Sequence, residues 1–171
     1  MKGDLSTLKK VCKYASVVML IGEFVFAALV LITVALGIAS LFSDPGKDMF
    51  VQWIGSKSTD GTLTLVSSFL VTTLLFVMGF ITVHVVYGLM VALMTEYSPF
   101  IPENAKRMKT VSMTYLFSSV FILVFGYLGD KGITELLFLF FASLMISVVM
   151  YCLTIICRYG VLLQKESDQT L

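Results

Sequence analysis

The sequence predicts an all-α protein, an integral-membrane four-helix bundle, and three observations carry that prediction. Of 171 residues, 58% are hydrophobic and only 13% charged, with a mean hydropathy of +0.96. A soluble domain of this size cannot cover its surface with so few charged groups, so lipid must solvate the rest. Four apolar runs meet or exceed the ~18–20 residues needed to cross a bilayer as a helix. Lipid offers the backbone no hydrogen-bond partners, so unclosed strands are excluded and helices follow. Third, nine of the twelve Lys and Arg residues fall on one side of these runs. By the positive-inside bias, both termini and the loop between the second and third runs are cytoplasmic.

The expected layout is a single membrane domain over 1–171. Helices cover about 11–42, 63–95, 103–128 and 133–163, with outer loops at 43–62 and 129–132 and an inner loop at 96–102. The basic start is followed by an apolar run continuing to Phe42, too long for a signal-peptide core, so it reads as a retained membrane helix. Ala28, Ala35 and Ala39 suggest a small-residue packing seam on it, as Ser143 and Ser147 do on the last helix. The first outer loop opens on an Asp-Pro-Gly turn, and Trp53, beside Phe50 and Ile54, reads as an interfacial anchor. "GDKG" at 129–132 is a tight turn that makes the last two helices antiparallel neighbours.

The second run would be about 50 Å long as a helix, against a hydrocarbon core of about 30 Å. Tilt alone would have to exceed about 50°, beyond the usual range. With the outer ends held by short polar loops, the excess projects on the cytoplasmic side.

Two ionisable residues lie deep in the apolar runs, and such groups are functional candidates by default. Counted from the outer ends, Glu23 and His84 sit about 29 Å and 32 Å down their helices. Their depths match, and their helices are consecutive, so the two side chains could meet as a protonation-sensitive clamp. The same depth is close to the inner interface. Glu23 is then equally open to pairing with Lys109 or Arg158, or to reaching water. A proton path would need further acidic residues at mid-membrane, and the sequence has none.

Enzyme chemistry finds no support. The single histidine excludes a His-based metal cluster, and no phosphate loop, nucleophile elbow or paired mid-helix carboxylates appear. No cofactor, metal or catalytic residue is expected. Cys152 and Cys157 are separated by roughly 140° around a helix, so with Cys12 they read as free thiols. A net charge of +1 gives no field for direct nucleic-acid binding.

The most specific polar residues lie in "TEYSPFIPENAKRMKTV", 95–111. Prolines 99 and 102 stop the second helix, and Pro102 suits the start of a new one with Glu103 beside its positive dipole end. Lys106, Arg107 and Lys109 then suit an anionic lipid surface. Phe100 and Asn104 are left unexplained by that account. The end of the chain, "CRYGVLLQKESDQTL", carries apolar Val161, Leu162 and Leu163 beyond Arg158 and then acidic Glu166 and Asp168. It reads either as a solvated helix end or as a docking edge.

Together "SPFIPENAKRMK" and "YGVLLQKESDQTL" resemble the inner loop and tail of the bacterial membrane proteins called the domain-of-unknown-function 2975 family. The resemblance spans essentially the whole chain. Phe100, Glu103, Asn104 and Arg107 match the loop pattern, with Met108 where leucine is common, and Gln164, Glu166, Asp168 and Thr170 match the tail. The family's biochemical role is unknown. The resemblance implies a bacterial inner-membrane protein and one partner, a small helix-turn-helix transcription regulator of the kind often encoded beside such proteins. Those eight residues are therefore the expected partner-binding set, and self-association is left open. The rival reading is a small transporter or peptide-immunity protein working through Glu23 and His84.

Overall fold

The computed structural model describes residues 2–54, 61–95, 100–129 and 132–169, and within them all side chains except those of 2–8, 95, 168 and 169. Among the described residues there are five helices: α1 (Lys2–Phe42), α2 (Asp44–Ile54), α3 (Thr62–Thr95), α4 (Pro102–Leu128) and α5 (Ile133–Gln169). All but α2 are long and apolar enough to cross a membrane, so this is a multi-pass membrane protein.

Each long helix packs antiparallel on the one before it. On the α1–α3 seam, glycines receive aromatic rings. A Cβ added to Gly79 would lie 2.4 Å from the Phe26 ring, and one on Gly37 would lie 2.3 Å from Phe69. Small residues allow such close approach, and dispersion then supplies most of the attraction. The α3–α4 seam holds the buried cluster of Met78, Val85, Val111, Tyr115 and Ile122, with Leu139 and Met150 of α5 packed against it. One cross-helix hydrogen bond joins Thr82 Oγ1 to the Tyr115 hydroxyl at 2.9 Å. The α4–α5 seam is closed by two serines. Ser112 Oγ donates to the Ser147 carbonyl at 3.0 Å, and Ser147 Oγ to the Ser112 carbonyl at 2.9 Å.

Among the described residues, α1 comes close to α2 and α3 but not to α4 or α5, and α3 does not approach α5 within 8 Å between Cα atoms. The bundle is therefore built of consecutive neighbours and stands open between α1 and α5. Three antiparallel steps bring the start of α1, the end of α5 and the α3–α4 junction to one end of the molecule.

Three sequence expectations need correction. The first outer loop contains a helix. Ser43 Oγ accepts the Gly46 N–H at 3.2 Å, as an N-cap does, and Asp44 and Pro45 occupy the first turn. The Ser-Asp-Pro-Gly that resembles a turn is a helix start. Gly46 lets α2 fold back on α1, since a Cβ there would meet the Ala39 carbonyl oxygen at 2.6 Å. Trp53, though exposed, donates from Nε1 to Thr33 Oγ1 at 3.2 Å, so it ties α2 to α1. Phe50, fully buried beside Phe69 at a centroid distance of 6.0 Å, ties α2 to α3.

The α1 seam is also different. Ala28 and Ala35 are exposed, whereas Ser16, Thr33, Gly37 and Ser40 are buried. Ser16, Thr33 and Ser40 donate to backbone carbonyls three or four residues earlier, at 2.7–2.9 Å. With their hydroxyls satisfied inside α1, these side chains pack as small residues do. The third correction is length. α1 begins at Lys2 and α5 runs to Gln169, beyond the expected 11 and 163.

Candidate functional site

The contact between α1 and α3 carries the polar pair. His84 Nδ1 lies 3.0 Å from Glu23 Oε1, so an Nδ1–H donates to the carboxylate. One turn earlier, Phe80 stacks on the imidazole, with centroids 6.3 Å apart and planes 14° from parallel. The ring is held by carboxylate and phenyl, yet the His84 side chain is 63% exposed. Within the described structure Glu23 pairs with His84, and neither Lys109 nor Arg158 reaches it.

At the shared end of the bundle, the α3–α4 junction meets α5. Ile101 is extended (φ −112°, ψ 147°), and its carbonyl accepts the Asn104 and Ala105 N–H groups at 3.1 and 3.4 Å to open α4. Cys157 Sγ of α5 lies 4.0 Å from that same carbonyl. The Phe100 ring is pressed against Gly160, where a Cβ would come within 2.3 Å of it. Chain reversal at Pro102 thus sets an aromatic residue onto the one position of α5 with no side chain in its way.

Arg107 crosses in the opposite direction. Its guanidinium lies against Gly88 of α3, with Nη1 2.7 Å from where a Cβ would stand. Together with His84, Tyr87, Ile101 and Glu103 it borders a cleft of about 370 Å³. The imidazole of the polar pair and the guanidinium of the loop therefore face one space.

Of the eight loop and tail residues expected to contact a partner, Phe100, Glu103, Arg107, Gln164 and Glu166 are exposed. Asn104 is not, at 1% exposure, and its side chain is enclosed in the first turn of α4. The Asp168 side chain and Thr170 lie outside the described residues. Phe100 and Gln164 share a shallow groove of about 380 Å³ on α5 with Tyr159, Gly160 and Leu163. Sequence reasoning did not single out Gly88 or Gly160. An isolated glycine inside a helical pattern is a signal for close packing, and both positions fit it.

Among the described residues no group of three or more His, Cys, Asp and Glu could hold a metal ion, and the cysteines are free. Comparison of the chain with protein-family models, with curated proteins and with solved structures found no match.

Proposed function

We propose that this chain is a non-enzymatic protein of the bacterial inner membrane, of the domain-of-unknown-function 2975 type. Its cytoplasmic end recruits or sequesters a small helix-turn-helix regulator. The observation that carries this reading is the seating of Phe100 on Gly160, which joins the loop and the tail into one continuous surface. Gln164 borders that surface, and the acidic tail residues Glu166 and Asp168 suit a partner whose DNA-binding face is basic. Asn104, enclosed in the first turn of α4, donates its backbone N–H to the carbonyl of Ile101, the residue after Phe100. Glu103 and Arg107 flank it on the α3 side.

Affinity purification in mild detergent from native cells tests the proposal. The wild-type chain is expected to bring down a small regulator. Gly160→Leu, which leaves no room for the Phe100 ring, is expected to lose it while still inserting in the membrane. If no regulator accompanies the wild-type chain and the variant leaves transcription of neighbouring genes unchanged, the proposal fails.

The Glu23–His84 contact favours a second reading, a small transporter or peptide-immunity protein acting within the bilayer. It predicts that Glu23→Gln abolishes the phenotype and that deletion of residues 164–171 does not, the reverse of the first reading.

A further inference from the structure

A second groove lies on the other flank of α5. It runs along α4 from Pro102 to Phe117, about 22 Å at helical rise, and is bounded across by Arg158 and Lys165. Its volume is about 910 Å³. Lys106 and Lys109 join Arg158 and Lys165 along it, and among the described residues no acidic side chain lines it. No carboxylate among the described residues pairs with any of the four. The floor is apolar, and Met113 and Phe117 carry it into the membrane-crossing part of α4, where Phe117 is 65% exposed.

These two halves make different demands. Four cations with no carboxylate partner among the described residues, at a membrane edge, attract anionic headgroups, each worth about 1 kcal/mol near a charged surface. An exposed phenyl ring and a half-buried thioether at membrane depth require hydrocarbon. A soluble anion meets only the first demand, and an acidic peptide has no means of covering Phe117 inside the bilayer. A zwitterionic lipid brings its own cation to a cluster of four.

We propose that this groove is a binding site for an anionic phospholipid. The headgroup phosphate sits among Lys106, Lys109, Arg158 and Lys165, and an acyl chain lies over Met113 and Phe117. The site is separate from the Phe100 surface. Gly160 and Leu163 turn toward Phe100, while Arg158, Leu162 and Lys165, at spacings of three and four, form the neighbouring stripe of α5.

The test is native mass spectrometry of the full chain released from nanodiscs containing equal phosphatidylglycerol and phosphatidylcholine. The wild-type chain is expected to retain phosphatidylglycerol over phosphatidylcholine by about tenfold or more. K106Q/K109Q/R158Q/K165Q is expected to lose that preference, and Lys109→Gln and Arg158→Gln singly to weaken it severalfold. The single variants decide the matter should the quadruple variant not fold. K9Q/K10Q/K13Q, which removes the same kind of charge from α1, is expected to keep the preference. Equal retention of the two lipids by the wild-type chain overturns the proposal, as does an equal loss in the α1 variant. Displacement of the lipid by millimolar inorganic phosphate or by a poly-glutamate peptide also overturns it, assigning the groove to a soluble anion or an acidic partner.

Discussion

The α1–α3 and α4–α5 seams do the same job with different chemistry. On the first, rings drop onto glycines and a carboxylate midway along α1 meets an imidazole. On the second, two serines exchange hydrogen bonds with each other's backbone at the centre. Their surroundings differ as well. A third of the most apolar stretch of α4 is buried, against 6% for α1; α4 lies between two neighbours, and α1 rests on a single long one. In lipid no hydrophobic force presses helices together, so α1 depends on shape, ring into glycine. α4, enclosed on two sides, can also use directional bonds, since a buried hydroxyl there has no lipid-facing alternative.

This contrast ranks the expected effects of substitution. Gly79→Leu drives a branched side chain into the Phe26 ring on a seam with no second neighbour to absorb the strain. A loss of about 2–3 kcal/mol is expected, as for overpacked sites. Denaturant titration in detergent micelles reads it, and a loss no greater than that of the serine variant would remove the distinction between the seams. S112A/S147A deletes both hydrogen bonds while leaving a small-residue contact. The expected cost is about 1 kcal/mol, given averages near 0.6 kcal/mol for such bonds in membranes. Glu23→Gln keeps an acceptor for His84 Nδ1 at an exposed site, so a change below about 0.5 kcal/mol is expected. A larger change would mean that the pair, not the glycines, holds α1 in place.

Hydropathy alone located the four long helices, because spanning a bilayer demands length and apolarity and little else. Which face of α1 packs was not legible in α1 itself. The helix is apolar nearly all round, and its alanines suit lipid as well as a neighbour. The answer lies in where Phe26 and Phe69 find glycine, which only the pairing of two helices reveals. α2 was missed for a local reason. Ser43, Asp44 and Pro45 are as good a helix start as a turn, and the eleven-residue segment is too short and mixed to register as apolar. The matching depths of Glu23 and His84 were readable by counting residues. The encounters of Phe100 with Gly160 and of Arg107 with Gly88 depend on how the chain turns between α3 and α4. Pattern along the sequence does not encode that angle.

The consecutive order of contacts bears on how the protein is made. A chain emerging from the ribosome presents its segments N-terminal first. Here α3, on appearing, finds α1 already waiting, α4 finds α3, and α5 finds α4. Each helix has to hold a surface in reserve only for the next long one to be synthesised, and no late segment must thread between two earlier ones. The open side between α1 and α5 is thus also what lets the molecule assemble in the order of its synthesis, one hairpin completed before the next begins.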